Sequence, residues 1–413
     1  MLSYRSALAG VPEPIDSSAA LRKTDAFWAE WSDRLGYRGR WRAAVVRRLV
    51  TLKALVHQPS GGVVAAPTTS LPEQLGGELN WDYRFCWLRD ASFTLIALLN
   101  AGYHEEAGRW RDWLDRAVAG APDRVRIMYQ PGGERWVEEA EVAWLPGYGG
   151  SVPVRSGNMA ARQRQVDVFG ELIDCKHIAD KAGLPRSRHG EDVEAGLVAH
   201  LETVWQEPDK GLWEVRGPPQ HFTYSKVMAW VAVDRFLRNP RTRPTGDRQR
   251  ELEALRDHMH AEICTKGFDA GQGSFVQHYG TTELDASLLL PIVGFLPADD
   301  PRMRGTIEAV GRELTTGNGL LLRNRLDPGQ EQGAFLACSC WMADCLLMLG
   351  RRAEAEALFG RVLAVRNDVG LPSEEHDLRR GCLAVNFPQA LSHLAMIITA
   401  LGLDDAAPYQ RGA

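Results

Sequence analysis

Helices joined by alternately short and long connections are the feature of this sequence that most limits its possible folds. Strand-like alternation is rare, so a mostly helical chain is expected. Short connections with Gly, Pro or Asn follow residues 103, 184, 239, 295 and 350, whereas the segments 58–89, 120–157, 206–220, 266–283, 317–333 and 367–386 are long. Apolar residues spaced about 3.6 apart predict twelve helices, near 41–57, 90–103, 104–119, 158–184, 190–205, 221–239, 246–265, 284–295, 300–316, 334–350, 351–366 and 387–402.

This alternation predicts an all-α (α/α)6 barrel, with an inner and an outer ring of six helices. If short turns join antiparallel helix pairs, all six long segments emerge on one rim, where long loops are usually functional. The helix at 41–57 has no partner before it and can close the ring beside the helix at 387–402. No fixed repeat supports a solenoid. Residues 1–40 are expected to form an arm and a short helix packed on the barrel domain, residues 41–405.

Composition excludes several classes of protein. A net charge of -5 over 413 residues, with Arg dispersed, predicts no nucleic-acid partner. No apolar run has the length of a signal-peptide core or a membrane span. The seven cysteines lie mostly in apolar helical patterns, so we expect a reducing, cytoplasmic location. No metal site or cofactor is expected, because no zinc-like spacing surrounds Cys338, Cys340 and Cys345. A homo-oligomer is possible.

The residues Asn80–Asp90 concentrate two Trp, two Arg, two Asp and one Tyr just before an apolar helix. Aromatic faces cover the C–H side of a sugar, and Arg and Asp make charge-assisted hydrogen bonds to its hydroxyls. The segment therefore suits a sugar-binding role. The alternative is a structural one, in which the Trp residues are core and the charges form an ion pair at a helix start.

Acidic residues in two other long segments could supply chemistry. Glu214 follows Trp213 and could be a general acid, because an indole desolvates a carboxyl group and raises its pKa; alternatively it is a structural partner of Arg216. The last long segment adds Glu374, Glu375 and Asp377. Two carboxyl groups on one rim are the usual machinery of glycoside hydrolysis, although spacing alone does not choose among these three acids. Asp285 could be a further polar group of the rim, but it is interpreted equally well as a helix N-cap. Phosphate-loop, nucleophile-elbow and dinucleotide motifs are absent from the sequence.

These residues resemble glycoside hydrolase family 15, the glucoamylase-like enzymes, and in detail its bacterial branch. Most bacterial members carry an N-terminal β-sandwich domain, of which only the connecting arm is expected here. The matching stretches occur in family order, and they are Thr51–Leu55, Ala65–Glu73, Asn80–Asp90, Val154–Asn158, Gly211–Gly217 with His221–Thr223, Leu284–Leu289 and Asn386–His393.

The resemblance implies an (α/α)6 barrel and an inverting, exo-acting hydrolase that releases β-glucose from non-reducing ends. It assigns Glu214 as general acid and Glu374 as general base, with Glu375 still possible for the latter. The family's sugar-binding positions correspond here to Tyr83, Trp87, Arg89, Asp90, Trp213 and Arg323.

The leading hypothesis is hydrolysis of short α-glucosides by a glucoamylase-like or isomaltose-hydrolase-like enzyme. Within the same class, α,α-trehalase activity and glucosyl transfer are alternatives, and an inverting phosphorylase is disfavoured by the presence of Glu374. From another class, the chain could be a catalytically silent carbohydrate-binding protein. Inversion predicts carboxyl groups about 6.5 to 9.5 Å apart, which leaves room for a water molecule.

Overall fold

Twelve α-helices, together with short 3₁₀ helices, make up about half of the described chain. The structure is a computed structural model that describes residues 15–120, 122–185, 190–239, 241, 243–325 and 332–407. Within those ranges the α-helices are α1 Ser17–Asp33, α2 Arg42–Leu55, α3 Ala91–Asn100, α4 His104–Val118, α5 Asp167–Lys181, α6 Gly190–Val204, α7 Thr223–Arg238, α8 Gly246–Lys266, α9 Pro301–Leu314, α10 Leu336–Met348, α11 Arg352–Ala364 and α12 Ala390–Leu403.

The strands are short and lie between the helices. They form antiparallel pairs β1–β2, β3–β4 and β5–β6 and a three-stranded sheet in the order β7-β8-β9. Their bounds are β1 Cys86–Trp87, β2 Met128–Tyr129, β3 Ala140–Glu141, β4 Arg155–Ser156, β5 Phe268–Asp269, β6 Ser274–Phe275, β7 Ala334–Phe335, β8 Glu375–Asp377 and β9 Cys382–Ala384.

Five α-helices and a pair of 3₁₀ helices form a closed inner ring. Helices α3, α5, α7, α10 and α12 are buried along nearly their whole lengths. The sequences of α3, α10 and α12 are mostly apolar, as such burial requires, whereas α5 and α7 also bury charged residues, among them the ion pair of Asp174 with Arg235. They pack in the order α3, α5, α7, then α10, α12 and back to α3, and the 3₁₀ helices Ala286–Leu288 and Leu290–Val293 fill the place between α7 and α10.

Six further helices form the outer ring. Helices α4, α8 and α11 pack on α3, α7 and α10, whereas α6 contacts α5 and α7, and α9 contacts α10 and the 3₁₀ pair. Helix α2 packs on α12 and so closes the ring. This contact was predicted from the sequence, because the helix at 41–57 has no partner before it. The predicted (α/α)6 barrel is therefore confirmed.

Two predicted helices differ from the observed elements. The helix predicted at 158–184 begins only at Asp167, because Asn158 instead caps a 3₁₀ helix, Met159–Arg162, by accepting from the Ala160 amide. The helix predicted at 284–295 is replaced by the two 3₁₀ helices of the inner ring. The sequence has Pro291 there, which lacks the amide hydrogen that an α-helix needs.

The long connections all precede inner helices and are linked side by side into one rim. They run over residues 56–90, 119–166, 205–222, 267–285, 315–335 and 365–389. The links between neighbours, in order around the rim, are the β1–β2 pair, the Lys210 amide on the Arg164 carbonyl, the Phe222–His278 bridge, the Asp285–Asn324 bridge, the β7–β8 pair and the Val385 amide on the Pro72 carbonyl.

Helix α1 packs on the barrel beside α2 and the start of α4. Trp31 donates to the Glu106 carboxylate at 2.7 Å and stacks on Tyr103, whereas Arg34 and Lys53 form ion pairs with Glu106. Residues 1–14 of the predicted arm lie outside the described residues. The division of the chain at residue 40 stays a prediction. Among the described residues, every helix is too short or too polar to cross a membrane.

Candidate active site

Glu214 is held at the rim, in the segment between α6 and α7. Its carboxylate accepts hydrogen bonds from Trp87 Nε1 at 2.6 Å and from Arg89 at 3.3 Å. The residue has a left-handed φ of 58°, which is rare for residues other than glycine. Burial raises the pKa of Glu214, and this effect is opposed by Arg89 and by the Trp87 hydrogen bond. The carboxyl group is thus set up to hold a proton.

Glu374 lies just before β8, in the segment between α11 and α12. Its carboxylate accepts from the Tyr83 hydroxyl at 2.7 Å and from Gln389 Nε2 at 3.2 Å, and the residue is 5% exposed. Burial raises the pKa of Glu374 to about 7, although the Tyr83 hydrogen bond lowers it. The group therefore changes charge near neutral pH.

Glu375, the alternative to Glu374, is fully buried as the first residue of β8. Its Oε2 accepts from the Gly333 amide at 3.1 Å, and its Oε1 has no hydrogen-bond partner among the described residues. Burial raises the pKa of Glu375 well above its ordinary value, and Glu73 adds to the shift. The third acid, Asp377, pairs with Arg380 and caps the turn that follows. The geometry thus favours Glu374 among the three.

Tyr83 and Trp87 join the two carboxyl groups into one site. Both residues come from the segment Asn80–Asp90, and their ring centroids lie 5.6 Å apart. Tyr83 donates to Glu374, and Trp87 donates to Glu214. One aromatic pair therefore has a candidate acid on one side and a candidate base on the other.

Arg89 and Asp90 form a buried ion pair of 3.0 Å beside Glu214. Arg89 also approaches the Leu212 carbonyl at 3.5 Å. Burial lowers the pKa of Arg89, but the carboxylates of Asp90 and Glu214 more than offset this, so the guanidinium stays charged. The ion pair directly precedes α3, as the structural alternative expected, and Arg89 also lies 3.3 Å from Glu214.

Trp213 and Arg323 form a neighbouring wall. The Trp213 indole donates to both oxygens of Asp285, at 2.9 and 2.8 Å, and the Arg323 guanidinium lies 5.6 Å from its ring centroid. Asp285 also accepts from the Ser287 amide at 2.7 Å. The expected N-cap role of Asp285 is confirmed, and the same carboxylate orients Trp213.

The structure brings together two further residues that sequence reasoning did not select. Glu73 accepts from Trp81 Nε1 at 3.0 Å and lies 3.6 Å from Arg323, whereas Gln389 contacts Glu374. Glu73 is the last residue of one stretch that resembles the family, and Gln389 lies within another. Their positions in these stretches were the signal by which the sequence could have identified them. Arg216, read as a possible partner of Glu214, instead pairs with Glu139 at 3.3 Å.

Solved structures with the same fold are glycosidases. The chain superposes on a wild-type glycosidase with a TM-score of 0.66 and 21% identity, over 87% of this chain and 96% of the other. On a glucoamylase from Saccharomycopsis fibuligera the TM-score is 0.64 at 11% identity, over 88% and 94% of the two chains. At these identities the likeness supports the fold alone.

Sequence comparison finds closer relatives. A trehalase of Thermoplasma acidophilum is 37% identical over 399 residues, which is 96% of this chain and 68% of the relative. A trehalase of Mycobacterium tuberculosis is 40% identical over 401 residues, 94% of this chain and 58% of the relative. An isomaltose glucohydrolase of Kribbella flavida is 27% identical over 284 residues, 64% and 65% of the two chains. This chain thus spans about three fifths to two thirds of the length of these relatives.

The profile of glycosyl hydrolases family 15 matches residues 39–401, which include both carboxyl groups, the aromatic pair between them and the whole ring of helices. The resemblance predicted from the sequence is thereby confirmed, as is the class of enzyme. This chain belongs to family 15 of the glycosyl hydrolases.

Proposed function

We propose that the chain hydrolyses α,α-trehalose with inversion, with Glu214 as general acid and Glu374 as general base. The observation that carries the proposal is the pair of carboxyl groups on either side of Tyr83 and Trp87. Trehalose is favoured over the short α-glucosides of the leading hypothesis, because the trehalase relatives align with nearly the whole chain and at higher identity than the isomaltose glucohydrolase.

The reaction separates one glucose unit from the other at the shared acetal oxygen. Glu214 donates its proton to that oxygen while the bond from the reacting C1 to the oxygen breaks, and the second glucose leaves with its hydroxyl restored. A water molecule attacks C1 from the opposite face and passes its proton to Glu374. The negative charge left on Glu214 is balanced by Arg89, 3.3 Å away.

The remaining residues hold the reacting glucose between the two carboxyl groups. Arg89 and Asp90 present a fixed donor and a fixed acceptor for its hydroxyls, because each is held by the other. Tyr83, Trp87 and Trp213 supply aromatic surface for its C–H face. Arg323, held near Glu73, adds a positive charge on the side of Glu374.

The products of trehalose hydrolysis test the proposal directly. Inversion at one C1 yields one β-glucose, whereas the leaving glucose keeps its α configuration. We expect equal initial amounts of the α and β anomers, measured by NMR before mutarotation. Maltose, isomaltose and dextran are the comparison substrates and should be cleaved more slowly.

Two results of that assay would contradict the proposal. If both initial products are α-glucose, the reaction retains configuration and the role of Glu374 as base is wrong. If isomaltose or maltose is preferred, the leading hypothesis from the sequence replaces trehalose as the substrate. Sugar binding without turnover of any of these substrates would instead support the silent carbohydrate-binding protein.

Tyr83→Phe is expected to move the acidic limb of the kcat/KM profile to higher pH. Glu374 takes a proton from water only when it is unprotonated, so activity falls as the pH drops through its pKa of about 7. The Tyr83 hydrogen bond lowers that pKa, and its loss therefore raises it. Tyr148→Phe, at an exposed tyrosine, is the control and should leave the profile in place. An acidic limb that stays or moves to lower pH would contradict the assignment.

A cytoplasmic location and self-association are parts of the same proposal. All seven cysteines are free thiols, and six of them are buried or partly buried, which agrees with a reducing compartment. Size measurement in solution and fractionation of cells that make the protein would test these two points.

A further inference from the structure

An aromatic and charged cluster on the rim joins the segments 56–90, 119–166 and 205–222. The Trp81 ring is approached by two guanidinium groups, Arg216 at 4.0 Å and Arg155 at 4.5 Å from its centroid. Glu139 pairs with both, at 3.3 Å from Arg216 and 3.5 Å from Arg155. The roles proposed above do not use this cluster, which we call the Trp81 cluster.

Trp81 contacts residues from the side of Glu374 and from the segment that carries Glu214. Its indole nitrogen donates to Glu73, and Glu73 lies 3.6 Å from Arg323, on the side of Glu374. Its ring contacts Arg216, which follows Glu214 by two residues in the same segment. The ring therefore contacts the same segment that carries the proposed acid.

The two arginines of the cluster differ in how firmly they are held. Arg155 is 9% exposed and donates to the backbone carbonyls of Glu78 and Asn80, at 2.9 and 3.0 Å. The side chain of Arg216 is 51% exposed, and its polar partner is Glu139. Arg155 is thus fixed, and Arg216 has room to move off the ring.

Movement of Arg216 leaves no buried charge without a partner. Glu139 keeps its ion pair with Arg155 and accepts from the Met159 amide at 3.0 Å. The guanidinium itself is half in water already, so its displacement costs little desolvation. The indole face then becomes available for another planar or C–H-rich surface.

We propose that Trp81 and Arg216 bind the leaving glucose, with the indole against its C–H face and the guanidinium on its hydroxyls. This subsite rests on the proposed hydrolysis of a disaccharide and deepens it. Arg216 covers the ring while the site is empty and turns to the sugar when substrate enters. The selectivity for a second glucose unit resides in this pair, whereas Arg89 and Asp90 recognise the first.

The test compares trehalose with α-D-glucosyl fluoride in the intact chain. The fluoride carries the first glucose but no second sugar, so it reports on the first subsite alone. Trp81→Ala and Arg216→Ala are each expected to lower kcat/KM for trehalose at least about ten-fold, the value of one aromatic contact or one charge-assisted hydrogen bond. Fluoride release from glucosyl fluoride should change by less than about three-fold.

The matched controls remove a Trp and an Arg side chain outside the Trp81 cluster. Trp28→Ala on α1 and Arg250→Ala on α8 should leave the ratio of the two kcat/KM values unchanged. Because Arg216 is exposed, its variant folds even if Trp81→Ala does not. Equal losses on both substrates, or no loss on trehalose, would overturn the subsite.

An error in the proposed substrate would give a different result from an error in the proposed subsite. If the wild-type chain cleaves another disaccharide but not trehalose, trehalose is wrong as the substrate. The same ratio, measured with the disaccharide that is cleaved, then decides whether the Trp81 cluster binds the leaving unit.

Discussion

Glu214→Gln is expected to lower kcat for trehalose by about a thousandfold, within the usual range for a lost general acid. The amide keeps the shape of the carboxyl group and can still accept from Trp87 and Arg89, so the fold should be preserved. It lacks a proton of suitable acidity, however, and the leaving glucose must then depart as an alkoxide. The initial rate of glucose formation measures the effect.

A substrate that needs no protonation separates the acid from a merely structural residue. Fluoride is a far better leaving group than an alkoxide, so Glu214→Gln should keep a much larger share of its activity on α-D-glucosyl fluoride than on trehalose. Glu105→Gln, at an exposed glutamate in the first turn of α4 and outside the rim, is the matched control. Equal losses on the two substrates would mean that Glu214 does not act as the acid.

The architecture was predictable because it follows from chain connectivity. Short turns force neighbouring helices to be antiparallel, which places the long connections together, and the apolar sequences of α3, α10 and α12 require burial on all sides. The exceptions arise where local hydrogen bonding overrides periodicity. Asn158 caps a 3₁₀ helix, and Asp285 begins another.

The pairings within the site were less predictable than its members. Tyr83 meets Glu374 across 291 residues of sequence, and Trp87 meets Glu214 across 127. A composition rich in aromatic and charged residues marks a segment as unusual, but it does not say which atoms touch across the rim. Arg216 illustrates this, because its sequence neighbour Glu214 pairs with Arg89 instead.

Glu374→Gln is expected to lower kcat by about a thousandfold on trehalose and on α-D-glucosyl fluoride alike. Both substrates need an activated water molecule, and an amide cannot take the proton that the water loses. The amide oxygen can still accept from Tyr83 or Gln389, which limits the effect on folding. A loss on both substrates thus distinguishes the base from Glu214, whose loss is expected mainly on trehalose.

Glu375→Gln is the matched control, one residue along the chain. Glu375 is fully buried, and burial raises its pKa well above its ordinary value, which favours the uncharged form that an amide of the same shape resembles. Its oxygen can still accept from the Gly333 amide. We therefore expect kcat within about ten-fold of the wild type. If Glu375→Gln abolishes turnover and Glu374→Gln does not, the base is Glu375, and the hydrogen bond from Tyr83 orients a structural carboxylate instead.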